Sequence, residues 1–113
     1  MKETDLLRHI QVAASKTGAR LLRNNVGMLK DENGTYVRYG LGTGSSDLIG
    51  WTPVKVTPEM VGLTIAVFTA IEGKVGYAKT TTEQDQFIAA VLQAGGIAGV
   101  ARSEKDALDI IGE

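Results

Sequence analysis

Three residues of this chain, Asp47, Glu72 and Lys74, are of the types that hold a hard divalent cation and steer an attacking water. Residues two apart in a strand share a face, so Glu72 and Lys74 project side by side at the end of a predicted strand. Asp47 opens the preceding predicted strand, and hairpin-like pairing with residues 63–74 brings its carboxylate beside that of Glu72. Two adjacent carboxylates repel unless a cation joins them. Oxygen ligands of this kind suit Mg²⁺ or Mn²⁺, bound through one or two carboxylates together with a substrate phosphate. Phosphodiester hydrolysis needs an activated water, neutralised phosphate charge and help for the leaving oxygen, and the cation can serve all three needs. Lys74 can orient the water, help deprotonate it, or stabilise developing negative charge. The sequence leaves these roles open.

Read alone, Glu-x-Lys on a strand is a common surface salt bridge of modest worth. Position sets this one apart, because Glu72 and Lys74 interrupt an apolar run and Asp47 opens another after a glycine-rich loop, where charge needs a reason. Gly73 is poor strand material, yet its small size leaves the carbonyl free to face a metal. Glu3, on the face of the first helix with Leu7, Ile10 and Ala14, either orients a metal-bound water or meets the helix dipole. Gln84 either touches substrate or closes a capping box with Thr81. Arg23, Asn24 and Asn25 either grip phosphates or form a solvated loop, and Arg102 is a similar candidate beside the last helix. His9 has no partner histidine at metal-ligand spacing. The loop Gly40 to Gly44 lacks a following lysine and leads into a strand, so no nucleotide cofactor is expected. Its glycines instead suit close approach of a phosphodiester backbone to Asp47.

The elements that must position these residues follow from periodicity. Leu6, Leu7, Ile10, Ala13 and Ala14 recur at helical spacing from Glu3 to about Thr17, and Gly18 stops the helix. Arg20 to Val26 reads as a short strand entering a polar segment, and Asp31-Glu32-Asn33-Gly34 turns the chain back into Tyr36 to Tyr39 as a hairpin. Gly40 to Ser46 is a loop, Asp47 to Trp51 a strand, and Thr57 to Met60 a turn. Leu63 to Ile71, rich in β-branched residues, is the expected central strand. Phe87, Ile88, Val91 and Leu92 define a helix that follows capping threonines and ends at Gly95-Gly96. Ile97 to Ala101 is a short buried strand, and Ser103 to Asp106 opens a last helix. This order predicts an α/β (α+β mixed) fold with helices packed on a mixed sheet.

The 113 residues, 43% hydrophobic and 22% charged, fit one domain. Absence of cysteine removes disulfides, thiolate metal sites and cysteine nucleophiles, and suits a reducing compartment. With no signal-like N-terminus and no apolar run near the ~20 residues that span a bilayer, a soluble, cytoplasmic protein without a membrane partner is expected. Net charge is −1, but residues 1–40 carry +3 and residues 41–113 carry −4. A basic half suits phosphates and an acidic half a cation; a chance imbalance on a solvated surface reads equally well.

Several stretches together are similar to a known family. Gly44-Ser45-Ser46-Asp47-Leu48-Ile49-Gly50, Glu72-Gly73-Lys74, Glu83-Gln84 and Gly95-Gly96-Ile97-Ala98-Gly99-Val100-Ala101-Arg102-Ser103 resemble the virus-type replication-repair nuclease (VRR-NUC) domain of the PD-(D/E)xK superfamily. The likeness reaches upstream to Glu3 and Arg23-Asn24-Asn25-Val26-Gly27. It implies a restriction-endonuclease-like core, a central mixed sheet flanked by helices, in a single domain over residues 1–113. It also implies that Asp47 and Glu72 are metal-binding carboxylates, the Gly73 carbonyl a further ligand, Lys74 the catalytic lysine, and Gln84 the family's glutamine on the next helix. Ser46 joins Arg23, Asn24, Asn25 and Arg102 as a substrate-side candidate. Gly73 departs from the pattern, since relatives usually carry a larger apolar residue there.

Family members act in DNA replication and repair, and free-standing phage or bacterial forms resemble dimeric Holliday junction resolvases. The resemblance therefore implies a Mg²⁺- or Mn²⁺-dependent DNA endonuclease of a bacterial or phage-infected cell, selective for branched DNA such as a Holliday junction. One small domain offers little surface to grip a duplex, so a homodimer is expected. A flap, exo- or nicking nuclease would use the same residues, and a catalytically silent DNA-binding subunit would keep the same fold.

Overall fold

A computed structural model of the chain describes residues 1–112. The chain forms two compact units, Met1–Thr52 and the segment from Pro53 onward. In the first, helix α1 (Glu3–Ser15) begins with Glu3 and Asp5 in its first turn, where negative charge meets the N-terminal dipole. It packs on strand β1 (Arg20–Arg23), with Leu7 and Ala19 buried and the Gln11 side chain donating to the Leu21 carbonyl at 3.0 Å. Strands β2 (Gly27–Lys30) and β3 (Tyr36–Tyr39) form an antiparallel hairpin. The turn between them is capped by Asp31, whose carboxylate accepts from the Asn33 and Thr35 N–H groups, and Gly34 takes φ +82°. Strand β4 (Leu48–Trp51) runs antiparallel to β1. A Cβ at Gly50 would lie 1.8 Å from the Arg20 carbonyl oxygen, so only glycine permits this approach.

The second unit opens with a 3₁₀ turn at Pro58–Met60 and is built on a parallel pair, β5 (Thr69–Gly73) and β6 (Ile97–Ala101), connected through helix α2 (Thr82–Gln93). A parallel pair needs such a crossover, and α2 packs on both strands. Its Val91 is fully buried, and a Cβ at Gly96 would strike that side chain. Helix α3 (Glu104–Ile111) packs on β6, where Gly99 leaves room for Ile110.

All three expected helices form, and the chain is a mixed α/β protein whose strands pair, among the described residues, as three two-stranded ladders. Three expectations change. The strand placed at Leu63 to Ile71 covers only Thr69–Gly73, since β-branched composition makes strand only where a ladder partner lies, and β6 spans that length alone. Gly27–Lys30, read as a polar segment, is a strand because Tyr36–Tyr39 pairs with it residue for residue. The observed ladder partner of β4 is β1, not the 63–74 segment.

Candidate active site

Asp47 sits one residue before β4, where the Asn24 N–H donates to its carbonyl at 2.8 Å. That bond extends the β1–β4 ladder by one pair, so Asn24 and Asp47 stand opposite each other on one face. The side chain of Asn24 then stitches the preceding loop. Its Nδ2 donates to the Ser45 hydroxyl at 2.7 Å and the Ser46 carbonyl at 2.9 Å, while its Oδ1 accepts from the Leu41 N–H at 3.0 Å. Ser45 in turn donates through Oγ to the Gly42 carbonyl at 2.6 Å. Gly40, Gly42 and Gly44 adopt φ of +84°, +130° and +87°, a backbone path that residues with a Cβ rarely follow.

The result is an exposed Asp47 carboxylate on a loop held from three sides. It lines an open cleft of about 490 Å³ with Asn24, Asn25, Tyr39 and Ser45. Arg23, which does not line this cleft, donates to the side-chain oxygen of the cleft-lining Asn25 at 3.1 Å. Asn24 has both amide hydrogens committed to the loop, which gives it the work of holding Asp47 in place. Glu3 lies elsewhere in this unit, exposed at the start of α1, and does not line the cleft.

In the second unit, accessibility alternates along β5: Ala70 and Glu72 are half-buried, whereas Thr69, Ile71 and Gly73 are exposed. Lys74, just past the strand, continues the alternation as a half-buried residue and donates its N–H to the Ala101 carbonyl at 3.1 Å. Glu72 and Lys74 therefore share a face, as their spacing requires. Neither forms an ion pair among the described residues, so they are not the mutual surface salt bridge that the tripeptide alone would suggest. No polar or charged side chain is buried among the described residues, which corrects the expectation that these charges stand in an apolar interior. Phe68 and Lys74 both bond β6 through their backbones, so the even-numbered residues of β5 face that partner. Gly73, an odd-numbered residue, turns its carbonyl to the opposite edge.

Glu72 lines a 280 Å³ pocket with Glu83, Gln84, Phe87 and Ile88 of α2. Gln84 closes the capping box: its side-chain oxygen accepts from the Thr81 N–H at 2.9 Å, and its own N–H donates to the Thr81 hydroxyl at 3.1 Å. The structure thus realises the capping reading while placing Gln84 beside Glu72. Arg102 lies in another cleft, with Thr80 and Asp106, and donates to the Gly76 carbonyl at 2.8 Å. That bond ties the turn after Lys74 to the end of β6. Ser45 and Tyr39 carry no local signal as neighbours of Asp47, because their partners, Asn24 for Ser45 and Gly27 for Tyr39, lie far along the chain.

The donors fit a hard cation. Asp47 and Glu72 offer carboxylates and Gly73 a carbonyl on an open edge, all oxygen ligands of the kind Mg²⁺ and Mn²⁺ take. No group of three His, Cys, Asp or Glu side chains that could hold a metal ion is found among the described residues. No helix among the described residues is long and apolar enough to cross a membrane.

No curated protein and no solved structure matches the chain. The profile of the VRR-NUC domain does match, over residues 2–105 of 113. That span runs from the start of α1 into α3 and takes in Asp47, Glu72, Gly73, Lys74 and Gln84. The chain belongs to the VRR-NUC domain family, and is therefore a nuclease, a hydrolase of DNA with a PD-(D/E)xK-like fold.

Proposed function

We propose that the chain is a Mg²⁺- or Mn²⁺-dependent DNA endonuclease, selective for branched DNA such as four-way junctions, acting as a single catalytic domain over residues 1–113 and as a homodimer. In this reading Asp47, Glu72 and the Gly73 carbonyl hold one divalent cation, and Lys74 acts beside it. The observation that carries the reading is the geometry of β5, which sets Glu72 and Lys74 on one face, unpaired, with the Gly73 carbonyl on the free edge. The cation would supply phosphate charge neutralisation and a more acidic bound water. Lys74 orients the attacking water and meets negative charge as it builds on the phosphate oxygens. Arg23, Asn25 and Ser46 hold flanking phosphates, and Asn24 keeps the Asp47 loop in register. Gln84 presents its amide nitrogen toward the substrate while its oxygen caps α2. Glu3 and Arg102 are assigned supporting contacts with water and phosphate.

The same residues would serve a flap, exo- or nicking nuclease, so substrate choice is the experiment. Purified protein is incubated with four-way junction, flap and linear duplex DNA, with Mg²⁺, with Mn²⁺ and with chelator. The reading expects metal-dependent cleavage, fastest on the junction, and a dimeric mass in solution. Cleavage that persists in chelator, or in Asp47→Ala, Glu72→Gln and Lys74→Ala alike, sinks the assigned site. Tight DNA binding without cleavage would point to a silent subunit.

A further inference from the structure

The β2–β3 hairpin has two unlike faces. Its register pairs Gly27 with Tyr39, Met28 with Arg38, Leu29 with Val37 and Lys30 with Tyr36. Strand alternation puts Met28, Lys30, Tyr36 and Arg38 on one side and Gly27, Leu29, Val37 and Tyr39 on the other. The Asp31 N–H donates to the Thr35 carbonyl at 2.8 Å, which makes the next pair, Lys30 and Tyr36, a non-hydrogen-bonded one whose side chains stand close. The Lys30 ammonium lies 5.9 Å from the Tyr36 ring centroid, and Tyr36 is 66% exposed. The face carries two cations and no acid, because Asp31 and Glu32 lie in the turn and the Asp31 carboxylate is taken up by backbone N–H groups.

At the base of the hairpin this cationic face meets the loop that leads to Asp47. Arg38 donates to the Thr43 hydroxyl at 3.3 Å, and with Met28, Gly40, Gly42 and Gly44 the two line a groove of about 310 Å³. A Cβ at Gly42 or Gly44 would meet nothing within 4 Å, so bare backbone borders the groove. Exposed cations, an aromatic ring and a glycine-lined groove suit a sugar-phosphate chain, whose charge the cations meet and whose bases stack on the ring.

We propose that the Met28, Lys30, Tyr36 and Arg38 face is a DNA-binding surface that holds the strand flanking the Asp47 cleft. This rests on the nuclease reading for its choice of DNA over another polyanion. The test measures binding of a fluorescent duplex carrying a single-stranded tail to the full chain in chelator, where no cleavage intervenes, across a range of salt concentrations. Lys30→Gln/Arg38→Gln should weaken binding about tenfold and lower the salt slope by about 2, near one unit per lost phosphate contact. Tyr36→Ala should weaken it about fivefold, while Tyr36→Phe, which keeps the ring, should bind as wild type does. Unchanged thermal melting shows that these variants are folded. Wild-type affinity and salt slope in the folded double variant would overturn the proposal, as would a wild type that binds no DNA. Hairpin-dependent binding by a protein that never cleaves would support the surface and contradict the nuclease reading, so the two failures are distinct.

Discussion

The stretch that carries Asp47 and the stretch that carries Glu72 and Lys74, one in each compact unit, are built by opposite means. Asp47 stands at the end of a loop held by side chains, in which Asn24 binds Ser45, Ser46 and Leu41 across about twenty residues of chain. Glu72 and Lys74 are held by backbone, on a strand whose ladder to β6 fixes which way each side chain points. A loop built from side-chain bonds fails when one polar group is lost. A ladder position tolerates change at its neighbours provided the alternation survives.

Substitutions can break that contrast, beginning with the largest effect. Lys74→Ala removes a group assigned to the reaction itself and should lower the cleavage rate by about 100-fold or more, with melting temperature unchanged. Gly50→Ala forces a methyl group into the Arg20 carbonyl and should destabilise the fold by about 3 kcal/mol, read by urea denaturation. Asn24→Ala leaves the Leu41 N–H and the Ser45 and Ser46 oxygens without their partner. It should cost about 1–2 kcal/mol and raise the metal concentration needed for half-maximal cleavage. Removal of the Ser103 cap, whose hydroxyl accepts from the Asp106 N–H, should cost about 1 kcal/mol and leave that metal requirement alone. The smallest change is expected at Gly73, where a Cβ meets nothing within 4 Å and φ is not positive. Gly73→Ala should therefore keep activity and gain about 0.5 kcal/mol of stability. A loss of activity in that variant would place the strand, and not only the loop, among the fragile parts.

The same contrast explains what could be read from the residues alone. Helix positions, the Thr81 and Ser103 caps, the 31–34 turn and the shared face of Glu72 and Lys74 depend on spacings of two to four residues, and all are found in the structure. Pairings across long stretches were harder. Leu63 to Ile71 has strand composition, yet only Thr69–Gly73 has a partner, and composition carries no record of where a partner ends. For Asn24 the sequence leaves a phosphate grip and a solvated loop equally open, because its loop partners, 17 to 22 residues away, leave no periodic mark. Burial is equally hard to read locally: an apolar run signals an interior only if something covers it, and Glu72 and Lys74 are half-exposed.

Under the proposed function Asp47 and Glu72 serve one cation, although they are held by different devices. Calorimetric titration of Mn²⁺ into the wild type, Asp47→Ala and Glu72→Gln tests it directly. The expected result is a site in the wild type whose affinity falls at least tenfold in each variant, with both still folded. Wild-type Mn²⁺ affinity in either folded variant would contradict it.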